Sequence, residues 1–556
     1  MAAPLNKFGI LRTLLSVRRK LVLPKRKSFS NQLLLWPISV LLGVATGYAV
    51  IGFRTAIAEL QTLFYGADDV TIHSVAADLP WYLVLTLPIV GGLLVGWILT
   101  TFTPDGKARG VADVIRAAAI RSGRVEAKPG LASAAAALIT LSTGGSTGRE
   151  GPAIHLGAIF ATWLSDRIRA SGITARDILG CGAAAAVSAS FNAPLAGALF
   201  AMEVVLRHYA LHAFGPITVA AVAGAVVSQI HFGDIREFML PPHSVEFYWE
   251  MPAFLVLGII SGVVGVAMIR GVFVADRVAD WVQGKAGIPN WLRPAVAGGL
   301  LGLIALEFPH IIGVGYETTL LALSADFVFS TAVVFAAVKV VAVALTFSGR
   351  MGGGVFSPAL MLGALTGCAF GEIATGLFPA VSGSQSLYAL AGMGAVAGAV
   401  LGAPISTTLI VFELTGDFQV AIAVMIAVSV ASVVADQMVA RSFFLTQLEQ
   451  QGLKLADGPQ GYLAAQVPVI GLMRVGDRRV TEEICKDLHA KGLCLQSSAT
   501  LDTALPLFDQ TKQFFIPVLS RENEKGDPEF LGALFRGDAF KAYSKALEAS
   551  LKEEHG

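Results

Sequence analysis

Four stretches of this chain, Leu33–Phe53, Pro80–Phe102, Pro252–Ile269 and Phe418–Ala435, each run for at least 18 residues without a charged side chain. A helix needs about 20 apolar residues to cross the hydrocarbon core of a bilayer. Runs of this kind leave few folds open, because inside lipid every backbone polar group must be satisfied within the chain itself. The whole sequence agrees: 54% of its 556 residues are hydrophobic and 15% are charged, against about a quarter charged in soluble proteins. Mean hydropathy is +0.66. The chain reads as an all-α polytopic membrane protein in contact with a lipid bilayer.

The formal net charge of +1 says nothing about partners, since the charges are segregated by segment, and no nucleic-acid partner is expected. Cys181, Cys368, Cys485 and Cys494 are spaced for neither a disulfide framework nor a metal site. The basic N-terminus (Arg18, Arg19, Lys20, Lys25, Arg26, Lys27) precedes an apolar run too long for a signal peptide and without a cleavage site. Its cations place the N-terminus in the cytoplasm. Residues 1–30 read as a basic helix on the membrane face, 31–447 as the membrane domain, and 448–556 as a small cytoplasmic α/β tail. The cell (inner) membrane is the expected location.

The membrane domain repeats itself. "FNAPLAGALFAME" (Phe191–Glu203) matches "LGAPISTTLIVFE" (Leu401–Glu413), with Ala403 following Ala193 by 210 residues. "GPAIHLGA" (151–158) matches "SPALMLGA" (357–364) at an offset of 206. Two matches at nearly one offset, each with a proline in register, define two halves, about 31–245 and 246–447. Transporters built from such halves have them inverted and place their sites where broken helices meet. The interruptions at Asn192-Ala193-Pro194 and Gly402-Ala403-Pro404 are such breaks, and irregular backbone at membrane depth marks a lined pathway.

"GGSTGREGPAIHLGA" (Gly144–Ala158) describes a helix start. Such a start carries free N–H groups and about half a positive charge. Glycines let an ion approach the backbone and proline suits the first turn, so the stretch is built to hold an anion. "GGGVFSP" (Gly352–Pro358) repeats the chemistry in the second half. Glu150, an ionisable residue at membrane depth, can occupy the anion's own place when charged and vacate it when protonated.

"GREGP", "GGGVFSP" and "GMGAVAGAVLGAPISTTLIVFELTGDF" (Gly392–Phe418) resemble, in order and spacing, the signatures of the CLC family of chloride channels and proton-coupled chloride transporters. The resemblance covers about 31–450. It implies a homodimer with one pore per subunit and bound chloride or another small anion. It makes Glu150 the gating glutamate and gives anion binding to the amides of Arg149, Glu150, Gly151, Val355 and Phe356. The family's serine-bearing loop aligns with "ARGVA" (Ala108–Ala112), which puts Arg109 and Gly110 in the anion-binding set; the alternative is an Arg109 that snorkels to the interface beside Lys107. Phe444 stands where the family has a pore tyrosine, so the hydroxyl donor is missing and the choice between chloride and nitrate or another small anion stays open. Proton-coupled members carry an inner glutamate where this chain has Val204. Glu203, one residue earlier, has a repeat mate in Glu413 and reads as structural. The expectation is therefore a passive, glutamate-gated chloride channel, with an antiporter using another proton path as the alternative.

The tail segments "ATLDTALPLFDQTKQFFIPVLS" and "FLGALFRGDAF" resemble one CBS-type repeat, about 464–545. Asp538 matches that motif's ribose-binding aspartate, but Phe535 replaces its threonine or serine, so nucleotide binding is not expected. No other cofactor and no metal is expected. No enzyme is expected either: "GGSTGREG" lacks the Gly-Lys-Ser/Thr ending of a phosphate loop, and His155 lies on an apolar helix, packed or lining the pore.

Overall fold

The computed structural model describes residues 32–209, 211–233, 249–379, 382–453, 455, 463–464, 467–477, 480–520 and 530–555. The basic N-terminal segment expected as a helix lies outside them. The first half contains α1 (Gln32–Tyr65), α2 (Ile72–Ala77), α3 (Trp81–Phe102), α4 (Val111–Ile120), α5 (Ala127–Ser142), α6 (Glu150–Ile168), α7 (Gly172–Phe191), α8 (Pro194–Phe200, continuing as a π turn to Leu206) and α9 (Leu211–Phe232). The second half contains α10 (Met251–Ala286), α11 (Arg293–Glu307), α12 (Tyr316–Leu323), α13 (Phe329–Ser348), α14 (Phe356–Leu377), α15 (Gln385–Leu401), α16 (Pro404–Thr415), α17 (Phe418–Met438) and α18 (Phe443–Gln450). Among the described residues seven helices are long and apolar enough to cross a membrane. The four charge-free runs fall in α1, α3, α10 and α17, and α10 runs well beyond its run, to Ala286.

The two halves pack by the same device. A Cβ on Gly157 of α6 would lie 2.4 Å from the Gly182 carbonyl oxygen of α7. A Cβ on Gly363 of α14 would lie 2.3 Å from the Gly392 carbonyl oxygen of α15. Gly363 follows Gly157 by 206 residues and Gly392 follows Gly182 by 210, the offsets of the sequence repeat. Lipid gives no hydrophobic push between helices, so close backbone approach at small residues drives their association. This explains why α7 and α15, buried along all but their first residues, are so rich in alanine and glycine. Large apolar residues such as Trp97, Leu255, Leu303 and Val333 are exposed instead on α3, α10, α11 and α13, as a lipid-facing surface requires.

The helix breaks also match. Asn192 and Gly402 take left-handed conformations (φ 54° and 66°), ending α7 and α15, and the proline two residues later starts α8 or α16. Proline is suited to that first helical position.

Beyond the membrane helices lies a small α/β unit: α19 (Glu482–Ala490), β1 (Leu495–Gln496), α20 (Leu501–Thr511), β2 (Phe515–Leu519), β3 (Phe530–Phe535) and α21 (Arg536–His555). β1 pairs with β2 in parallel and β2 with β3 antiparallel, over a core of Leu501, Phe508, Ile516, Val518 and Leu534.

Candidate functional site

The starts of α6 and α14 face each other across a two-residue ladder. The Gly148 amide donates to the Gly354 carbonyl and the Gly354 amide donates back to Gly148, each at 2.7 Å. The Thr147 hydroxyl adds a 2.9 Å bond to the Gly354 carbonyl. Any side chain here would collide: a Cβ on Gly354 would sit 2.8 Å from the Gly151 nitrogen, and one on Gly148 would sit 2.6 Å from Glu150 Oε2. The glycines thus let two helix N-termini, each with unsatisfied N–H groups, converge on one point.

Glu150 fills that point. It is 1% exposed, and its Oε1 accepts a 2.5 Å hydrogen bond from the Ser357 hydroxyl of the opposite helix start. Arg149 caps α6 with its backbone while its side chain turns elsewhere: Nη2 donates to the Tyr316 hydroxyl at 2.8 Å and the guanidinium lies over that ring at 4.7 Å. Phe356 opens α14 and packs its ring against Phe191 (4.8 Å) and Phe200 (5.9 Å).

Below the carboxylate, on the side where α18 lies, opens a cavity of about 380 Å³. Its wall includes Arg109, Gly110, Gly151, Val355 and Phe444, so the structure gathers these sequence-derived residues around one space. Phe444 presents a ring without a hydroxyl, packed edge-on against Phe443. Lys107, Arg277 and Arg350 contribute positive charge to the wall. Asp276 and Asp280, on α10, are held there by Arg293, whose Nε also donates to the Ser348 carbonyl at 2.6 Å. This bracket anchors the end of α13, next to the second glycine loop.

The Arg109 guanidinium, placed by sequence in the anion set, is turned aside. Nη1 lies 3.0 Å from Asp105 and 4.0 Å from Asp113, while the Arg109 amide donates to the Ser133 hydroxyl. Burial alone would raise the Asp105 pKa, but the hydrogen bond and charge of Arg109 outweigh it and hold the carboxyl below its usual range. Arg109 also borders a second cleft of about 270 Å³, whose wall reaches buried His155. Its Nδ1 is 3.4 Å from the Gly110 carbonyl.

The inner acidic position is apolar and occupied. Val204 is buried. Glu203 accepts from the amides of Ile405 (3.0 Å) and Ser406 (2.8 Å) and from the Ser406 hydroxyl. Its mate Glu413 accepts from the amides of Leu195 (2.9 Å) and Ala196 (2.8 Å). Each glutamate caps the broken helix of the other half. In the tail, Asp538 is engaged by Arg474 through bonds of 2.6 and 2.9 Å, and the same guanidinium covers the Phe535 ring.

Sequence reasoning missed Tyr316, the partner that turns Arg149 away, and also Ser357 as the partner of Glu150. Ser357 stands in the second glycine-rich motif and was legible there. Tyr316 has no motif and is 167 residues from Arg149.

Comparison with known proteins accords with this geometry. Residues 91–436 match the family model described as voltage gated chloride channel. A putative chloride channel protein, ClcB-like, of Ralstonia nicotianae is 32% identical over 394 residues, covering 70% of this chain and 91% of that protein. A slow cyanobacterial Cl−/H+ antiporter superposes with a TM-score of 0.67 at 22% identity, covering 76% of this chain and 99% of that one. A eukaryotic CLC transporter gives 0.65 at 18% identity and covers 91% of this chain and 97% of that one. Matching family signature, paired helix starts and fold together place this chain in the CLC family of chloride channels and transporters.

Proposed function

We propose that this protein is a passive chloride-selective anion channel, closed by the Glu150 carboxylate, with one pathway in each subunit of a homodimer. The observation that carries the reading is the position of Glu150. Its carboxylate lies where two helix starts converge, the place best suited to a small anion, so carboxylate and anion compete for one set of donors. The inner cavity then delivers anions from the cytoplasm, with both termini on that side of the cell membrane. Chloride is the expected ion. Nitrate is the competitor to test against it, because Phe444 offers no hydroxyl to the ion.

Two features support conduction without proton exchange. Val204 cannot carry a proton, and Glu203 is committed to capping α16. One observation favours the alternative, an antiporter with a different proton path: the second cleft leads toward buried His155, on the helix that starts with Glu150. Reversal potential separates the two. Purified protein in a bilayer, under a proton gradient and symmetrical chloride, reverses at zero if it is a channel. A reproducible shift with the proton gradient establishes exchange and makes His155 the first residue to replace.

For the tail, we propose a single CBS-like repeat that serves structure rather than nucleotide binding, because Arg474 already satisfies Asp538. Isothermal titration of the full-length protein with ATP or AMP is expected to show no heat of binding.

A further inference from the structure

Outside the wall of the inner cavity, several elements bring ionisable side chains together, Lys339, Asp69 and His310 being almost fully buried. Lys339 is the single charged residue of α13 and is 1% exposed. Among the described residues its Nζ reaches only the carbonyls of Ile311 (3.4 Å) and Gly313 (3.5 Å) at hydrogen-bonding range, both long contacts for an ammonium group. Asp69, in the turn after α1, is also buried and accepts a 2.7 Å bond from Gln61. It interacts electrostatically with Lys339 and with Arg149. Two buried cations therefore act on the Asp69 carboxylate.

The other groups facing this space are neutral or engaged. Glu317 of α12 accepts from the amides of His73 (2.7 Å) and Ser74 (3.1 Å) and from the Ser74 hydroxyl, which fixes it on the start of α2. Burial, with Lys339 beside it, pushes the His310 pKa down to about 3, so that ring, stacked 3.8 Å from Phe335, stays uncharged. Burial likewise lowers the His73 pKa, against the pull of Glu317. Tyr65 abuts Gly144 with its hydroxyl, and Tyr316 holds Arg149.

The cluster connects to the gate through short links. Gly315 precedes Tyr316, and a Cβ on it would lie 3.4 Å from Lys339 Nζ and 2.3 Å from Met361 Sδ. Met361 is one helical turn along α14 from Ser357, whose hydroxyl holds Glu150. An ammonium kept this deep costs folding free energy, and no contact at good distance offsets that cost locally. What it does supply is a field.

We propose that Lys339 and Asp69 are the positioning charges of the gate, setting the potential at the Glu150 carboxylate and hence the acidity at which the pathway opens. The inference rests on the reading of Glu150 as the gate. The signs follow from Coulomb's law. Lys339 favours the charged, occluding carboxylate and delays opening to lower pH; Asp69 does the reverse. A unit charge about 10 Å away, at an effective dielectric near 20, moves a carboxyl by about one pH unit.

The test is chloride efflux from proteoliposomes between about pH 4 and pH 8, a range bracketing carboxyl titration, for Lys339→Met, Asp69→Asn and Lys339→Arg, each alone and with Glu150→Gln. The opening midpoint is expected to rise by about one unit in Lys339→Met and to fall by a similar amount in Asp69→Asn. Lys339→Arg should hold the wild-type midpoint, and combining Lys339→Met with Asp69→Asn should bring it back toward wild type. With Glu150→Gln present, neither substitution should move anything. A Glu150→Gln profile identical to wild type defeats the gate reading itself. A flat Glu150→Gln profile with no shift, or shifts of the same sign, in the two charge variants overturns this inference alone. Should Lys339→Met fail to yield monodisperse protein, the near-isosteric Asp69→Asn decides by the same criterion.

Discussion

The two glycine loops that meet at Gly148 and Gly354 share a backbone and differ in what they carry. The first ends in Arg149 and Glu150, the second in Val355 and Phe356. One loop supplies the group that can be protonated. The other supplies a hydroxyl, from Ser357, and an aromatic ring locked against Phe191 and Phe200. In the proposed reading, the duplicated frame supplies a symmetrical anion site, and asymmetry in a few side chains turns it into a gate. The helix breaks show the opposite case. Glu203 and Glu413 stayed alike, and each holds the other half's helix start. Where the job is structural the halves carry the same residue; at the proposed gate they differ.

The largest expected effect tests the conserved pair. Removing either glutamate strips a carboxylate acceptor from two amides at the start of a broken helix, which costs about 2–3 kcal/mol. Glu203→Ala and Glu413→Ala should lower thermal stability in detergent by similar amounts, read by fluorescence-detected unfolding. A large loss in one and none in the other breaks the equivalence of the halves. The diverged pair comes next. Glu150→Ala should raise chloride efflux at neutral pH by roughly tenfold, the equivalent of about 1.4 kcal/mol of occlusion, and abolish its pH response. Phe356→Ala should leave the pH response in place.

A smaller effect concerns the inner cavity. Phe444→Tyr restores a hydroxyl donor, a hydrogen bond of about 0.5–1.5 kcal/mol, and should change the chloride-to-nitrate permeability ratio by about two- to tenfold in bi-ionic measurements. The smallest concerns Arg109. Asp105 has a depressed pKa, so its contribution is present at neutral pH and lost only as pH falls below the ordinary carboxylate range, near 4. Asp105→Asn should free the guanidinium and increase efflux by about twofold at low ionic strength, with the gain fading at high salt. An increase that ignores salt would point to a changed cavity shape instead.

Much of this was legible in the sequence, for identifiable reasons. The repeat offsets of 206 and 210 recur in the helix-packing glycines because close approach admits no other side chain. The prolines of the broken helices and the glycines of the two loops that meet at Gly148 and Gly354 are likewise dictated by backbone geometry. Lys339 was not read out, although a lysine inside a 20-residue apolar helix is the kind of residue that calls for explanation. Its neighbours Asp69 and Gly315 carry no pattern of their own, and only the fold brings them together. The direction of the Arg109 side chain was equally hidden, because Asp105 and Asp113 lie within four residues of it but belong to no motif.

The ladder between Gly148 and Gly354 has a mechanical consequence. A passage whose two walls are riveted together at their narrowest point cannot widen by drawing those walls apart without breaking both rungs. For the gate proposed above, opening is then left to a side-chain swing of Glu150, a motion that in itself needs no helix to move and little surface to change its hydration. Such a gate should have a shallow temperature dependence and a small activation heat capacity, and locking the helices against one another with engineered cross-links should leave its opening rate nearly untouched.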